Sequence, residues 1–160
     1  MPRTARVTIE NGSYHIITRG NQKQQVFIDS QDYSSYLQIL NKYKKRYKFK
    51  LYCFCLMPNH VHLIIEVKEP IMVSKIMKCL NLSYALYFNF KYKRVGHLWQ
   101  DRFLSRIIHK DIYLLDCINY IETNPIRANL VDNITEYVWC SYNLRLHLAQ
   151  EKNILDMPEF

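Results

Sequence analysis

The chain has 160 residues, enough to bury a core of its own, and its length predicts one domain spanning 1–160. Five scattered cysteines (53, 55, 79, 117 and 140) make no disulfide framework, and no leader-like start or run of about 18 apolar residues is found. A cystine-rich secreted scaffold and a helical membrane protein are thereby excluded, and a cytoplasmic protein with reduced thiols is expected. The formal charge of +8, from 22 Lys and Arg against 14 Asp and Glu, points to an acidic partner: nucleic acid, an acidic protein or a membrane surface.

In chain order, "SYHIITR" (13–19) alternates and is β-branched, so it predicts a strand, which "RGNQ" breaks. "SQDYSSYLQILNKYKKRYK" (30–48) begins with a capping residue and spaces Tyr33, Tyr36, Leu37, Leu40 and Tyr43 as a helix does. "FKLYCFCL" (49–56) and "HVHLIIEV" (60–67) flank Met57-Pro58-Asn59 and predict a tightly connected strand pair. "VSKIMKCLNLSYALYFNFKY" (73–92) predicts a long helix and "LSRIIH" (104–109) a short strand. "DIYLLDCINYIETN" (111–124) predicts a helix capped by Asp111 and running into Pro125. No repeat, low-complexity tract or Gly/Ser linker interrupts the order β-α-β-β-α-β-α. Two such βαβ halves predict an α+β ferredoxin-like sandwich, an antiparallel sheet with helices packed on it.

The basic excess is concentrated in "KYKKRYKFK" (42–50), where Tyr43, Tyr47 and Phe49 stand between the charges, and it returns in "KYKR" (91–94). Such a stripe suits a phosphate backbone, with aromatics that stack on unpaired bases. It equally suits a solvated helix end whose aromatics face the core.

"CLMPNHVHLII" (55–65) poses the sharper question. Side chains alternate along a strand, so His60 and His62 share a face, about 7 Å apart, and form half of a metal site. An H-x-H pair also arises by chance among ordinary core and surface histidines. Two completions are open. If Pro58-Asn59 is a two-residue turn, Cys55 falls opposite His62, and Cys53 and Cys55 complete a zinc site; against this, buried cysteines commonly act as small apolar groups. Alternatively, "YIETNP" (120–125) puts Tyr120 and Asn124 on one helix face, with the residue before Pro125 biased out of the helical region and free to turn inward.

Four stretches in register, "YHIITRGNQKQQVF", "CLMPNHVHLII", "GHLWQDRF" and "YIETNPIRANLV", resemble the REP-associated tyrosine transposases, in the single-tyrosine branch of the His-hydrophobe-His endonucleases. The resemblance runs from about Tyr14 to Tyr142. It implies that His60 and His62 ligate a divalent metal, Mg2+ or Mn2+, with Asn124 as third ligand and Tyr120 as nucleophile. It also implies the same ferredoxin-like sheet, with the histidines on a central strand. The implied substrate is single-stranded DNA near an imperfect hairpin of the repetitive extragenic palindrome type, cut through a covalent 5′-phosphotyrosine. A phenol is a poor nucleophile at neutral pH, so polarisation of the phosphate by a metal matters. Arg19, Asn21, Arg102, Arg106 and Arg127, in or beside the matching stretches, are the candidate DNA contacts.

Asp101 and Asn129 stand where the resemblance leads one to expect glycine, Glu122 reads as a solvated residue, and only a short tail follows Tyr142. Three readings stay open: an active metal-dependent single-strand DNA endonuclease and transesterase, a catalytically silent nucleic-acid-binding module of the same fold, and a zinc-stabilised structural protein. Monomer and homodimer are both compatible with the sequence.

Overall fold

The β-branched and aromatic runs pair into one four-stranded antiparallel sheet: β1 (Gly12–Arg19), β2 (Lys50–Met57), β3 (His60–Val67) and β4 (Leu104–Ile108), in the order β2-β3-β1-β4. The computed structural model describes residues 5–109, 112–147 and 154–159. Five helices complete it: α1 (Ser30–Tyr47), α2 (Ile71–Lys91), α3 (Ile112–Glu122), α4 (Asn124–Arg127) and α5 (Tyr142–Leu146). This is the expected α+β ferredoxin-like sandwich, with β3 and β1 in its centre. Among the described residues, no helix is long and apolar enough to cross a membrane.

Alternation along the central strands separates two cores. Ile16, Phe54, Leu56, Val61, Leu63 and Ile65 face α1 and α2, burying Tyr36, Leu40, Met77, Leu80 and Tyr84. On the other face, Cys53, Cys55, Met57 and Ile64 meet Leu114, Ile118 and Ile121 of α3. The two-residue turn pairs Cys55 with His62 and Met57 with His60, so both histidines lie on the α3 face.

The cap of α1 is Asp29, one residue before the expected Ser30; its side chain accepts from the Asp32 amide at 3.0 Å, and the Asp32 carboxylate accepts from the Asp29 amide at 3.3 Å. Asp32 is fully buried, and it is satisfied by Lys91 (2.8 Å), Tyr87 (2.9 Å) and Tyr92 (2.7 Å), which lock the start of α1 to the end of α2. Lys91, the first charge of "KYKR", is thereby occupied by Asp29 and Asp32. The expected cap Asp111 lies outside the described residues.

The aromatics of the 42–50 stretch belong to the core rather than to a base-stacking surface. Tyr43 and Phe49 are buried; Tyr43 shares a 2.6 Å hydrogen bond with Ser83, and Tyr47 packs against Cys79. The stretch also meets the sheet at the wrong end. Lys50 is in register with Glu66, seven residues along β2 from Met57 and His60, a run of about 23 Å at strand rise.

Candidate active site

The four stretches that carry the resemblance converge at the end of the sheet where β1 stops and β3 begins. The Gly20 amide donates to Asn59 O (2.8 Å), the Val26 amide to Pro58 O (2.8 Å), the Asn21 amide to Leu98 O (2.8 Å) and the Gln100 amide to Arg19 O (2.8 Å). Gly20 is required by this close approach, because a Cβ there would lie 2.3 Å from Gln24 O. A depression bordered by Arg19, Lys23, Asn59 and Gln100 opens onto His60 and His62.

The two imidazoles lie 4.9 Å apart, ring centroid to centroid. His60 Nδ1 is 2.6 Å from Asn59 Oδ1, an oxygen that can only accept, so the proton sits on Nδ1 and the Nε2 lone pair is free. His62 is buried, with Nε2 2.8 Å from the Asn124 amide nitrogen and Nδ1 3.0 Å from Nε2 of His15. Burial pushes the His62 pKa down to about 3, helped by the neighbouring His60, His15, Arg19 and Arg127. Burial, and then Arg19, also lowers that of His60. His15 is held at about 4 by burial and by Arg106. All three rings are therefore neutral at physiological pH, the form in which imidazole ligates metal.

Asn124 reaches His62 because of a break in the helix. Pro125 has no N–H, so Ile121 O loses its donor four residues on; α3 ends at Glu122, and the chain restarts at Asn124 as α4 with Pro125 in its first turn. Residue 124 was expected outside the helical region; it instead opens the short helix. Tyr120, one turn earlier, is 57% exposed. The Arg127 guanidinium stacks over its ring at 4.0 Å and donates to Tyr120 O and, at 2.7 Å, to Thr123 Oγ1. It caps a carbonyl left at the helix end while covering one side of the ring.

Of the other candidates, Arg19 pairs with His60 across the sheet and Arg106 with His15, so both point to the α3 face. Asn21 is tied by its backbone to Leu98. Arg102 is exposed and lines the adjoining hollow with Arg19 and Asp101. Asp101 and Asn129 both adopt left-handed backbone, φ 61° and 56°, which is where glycine is favoured and where Asp and Asn are the tolerated substitutes.

One further expectation is overturned and one open alternative closes. Glu122 is not solvated: it is 3% exposed, paired with Arg145 at 2.7 Å and hydrogen-bonded by Ser141 at 2.6 Å, because α5 folds over it. The zinc completion also finds no geometry. Cys53 and Cys55 are buried in the α3-facing core, with thiols pushed up by desolvation, and among the described residues no three His, Cys, Asp or Glu side chains gather as a metal cluster. The set that does gather is two histidines and an amide, and its neutral rings and oxygen-bearing carboxamide fit a divalent metal with open positions. Sequence reasoning missed His15 as a member of the site.

The family model for IS200-like transposases matches residues 8–124. A Haemophilus influenzae protein provisionally named a REP-associated tyrosine transposase is 25% identical over 128 residues, 68% of this chain and 72% of its own. The solved REP-associated tyrosine transposase bound to a REP hairpin superposes with a TM-score of 0.76 at 17% identity, covering 100% of this chain and 95% of that one. A crystal structure from Deinococcus radiodurans, provisionally assigned as a transposase, gives a TM-score of 0.53 at 20% identity, covering 76% of this chain and 97% of its own. The resemblance read from the four stretches is borne out, and at these identities the two solved structures speak for the fold.

Proposed function

The chain belongs to the IS200-like transposase family, and from that premise we propose that it is a metal-dependent endonuclease and transesterase acting on single-stranded DNA beside a hairpin. The observation that carries this reading is the convergence of His60, His62 and Asn124, with neutral imidazoles, one helical turn from an exposed tyrosine. His60 and His62 would hold Mg2+ or Mn2+ through Nε2, and Asn124 through its carboxamide oxygen. When bound, such a metal supplies Lewis-acid polarisation of the scissile phosphate.

The remaining work falls to the chain. Arg19, beside His60, and Arg127, over Tyr120, add positive charge where a phosphate enters. The Tyr120 oxygen attacks phosphorus and the bond to the 3′ oxygen breaks. The phenolic proton is released to solvent, and the departing 3′ oxygen takes one up. The products are a 5′-phosphotyrosine and a free 3′-hydroxyl, and attack by a hydroxyl in the reverse sense rejoins the strand. Residues 1–160 act as one catalytic unit in this reading, in the cytoplasm, where the five unpaired cysteines stay reduced.

A REP hairpin is the ligand named for the solved transposase whose fold overlaps this whole chain, which supports a hairpin substrate here. Asn21, after the end of β1, and Arg102 and Arg106, before and on the edge strand β4, would extend the contact. The test is incubation with end-labelled single-stranded hairpin DNA and Mn2+, with and without EDTA. Metal-dependent cleavage supports the proposal, and cleavage that survives EDTA removes the metal from it. Tight binding without cleavage on any hairpin, metal present, favours the silent module.

A further inference from the structure

Resting on the metal reading above, we propose that His15 is a positioning residue that accepts the Nδ1 proton of His62 and so keeps His62 Nε2 unprotonated and able to ligate.

The argument is one of donors and acceptors. The nitrogen of a carboxamide can only donate, and the Asn124 amide nitrogen lies 2.8 Å from His62 Nε2. Nε2 is therefore the acceptor, and in a neutral ring the single proton is on Nδ1. That nitrogen lies 3.0 Å from His15 Nε2, so His15 accepts there and carries its own proton on Nδ1. Proton donation thus runs one way, from Asn124 through His62 to His15. The rings are also stacked, 5.2 Å between centroids and 28° between planes, so the contact fixes the plane of His62 as well as its tautomer.

The arrangement matches that of the other histidine. Asn59 Oδ1 takes the Nδ1 proton of His60, and His15 Nε2 does the same for His62. Ligating imidazoles are regularly held by an acceptor on the second nitrogen, whose loss weakens metal binding. His62 is 6% exposed, so water does not readily replace the acceptor. Without it, the proton is free to move to Nε2, and a protonated Nε2 has no lone pair to give to a metal. His15 sits in β1 beside Ile64 and Arg106, and the contact with His62 is a diagonal one across the β1–β3 pair.

The test compares wild type with His15→Phe, which keeps a ring and removes the acceptor, and His15→Gln, which restores an acceptor oxygen near the Nε2 position. Two readouts are taken on the metal-free protein, with thermal unfolding to confirm folding: the ring-nitrogen NMR shifts of His62, and titration with Mn2+. Wild type should show His62 protonated on Nδ1, His15→Phe should lose that state, and His15→Gln should recover it. Mn2+ affinity should fall about 10- to 100-fold in His15→Phe and return to within about threefold in His15→Gln. His62 protonated on Nε2 in wild type, or Mn2+ affinity unchanged in His15→Phe, overturns the role given to His15. If wild type takes up no Mn2+ at all, the metal reading fails by itself, and the nitrogen spectra still decide what His15 does to His62.

Discussion

Lowering the pH from 7 to 5 should weaken the metal-free protein through its buried histidines. His62 and His15 titrate at about 3 and about 4 in the fold, each depressed first by burial, whereas an imidazole in the unfolded chain titrates near 6.5. A depressed histidine favours the neutral form, so its contribution to stability is complete above 6.5 and is lost as pH falls below it, because the unfolded chain takes up a proton that the fold refuses. At about 1.36 kcal/mol per pH unit, the interval from 6.5 to 5 costs about 2 kcal/mol per histidine, and about 4 kcal/mol for the pair. His60, also depressed, adds in the same direction. The lowered carboxylates Asp29 and Asp32 lie outside this window, since their contribution is lost only in more acidic solution. Urea unfolding at pH 7 and pH 5 in EDTA, for wild type and His62→Gln, measures the effect. The variant cannot take up a proton at 62, so its loss between the two pH values should be smaller by about 2 kcal/mol. Equal losses in the two proteins would refute the buried, neutral state of His62.

Arg145→Ala should destabilise by about 3–5 kcal/mol in urea, because it leaves the buried Glu122 carboxylate unpaired; a cost under about 1 kcal/mol would mean that Glu122 is solvated after all. Asn129→Ala should cost about 1 kcal/mol at its left-handed backbone while Asn129→Gly is close to neutral, and equal stabilities would remove the conformational explanation for that position. Arg127→Ala uncovers the Tyr120 ring and uncaps its carbonyl. It should cost about 1 kcal/mol of stability and slow covalent adduct formation more than it weakens DNA binding, whereas an equal drop in both would make Arg127 a simple phosphate contact.

Much of the site is legible in short-range periodicity. Two-residue alternation puts His60 and His62 on one face and the Pro58-Asn59 turn puts Cys55 opposite His62, and both relations hold; the single helix read through Tyr120 and Asn124 is instead broken, with Tyr120 in α3 and Asn124 opening α4. What was not legible depends on elements distant in the chain. Glu122 looks solvated until α5 folds back and delivers Arg145 and Ser141. Tyr43 and Tyr47 look available for bases until α2 covers them, and Phe49 until it is buried in the core. His15 is a lone histidine in an alternating strand, and its meaning appears only when β1 lies beside β3. The ferredoxin-like strand order contains that neighbour relation, so a histidine on the matching face of β1 was the available signal.

The measurement that bears most directly on the proposed chemistry is covalent capture at Tyr120. Wild type and Tyr120→Phe are incubated with Mn2+ and hairpin-containing single-stranded DNA labelled on either side of the cleavage point, and then run on denaturing gels. Wild type should carry the fragment with the new 5′ end, attached through a peptide that contains Tyr120. Tyr120→Phe, which removes one oxygen and little volume from an exposed ring, should bind the hairpin as wild type does while losing cleavage and adduct together. Cleavage by Tyr120→Phe, or an adduct that maps to another of the 13 tyrosines, would contradict the account.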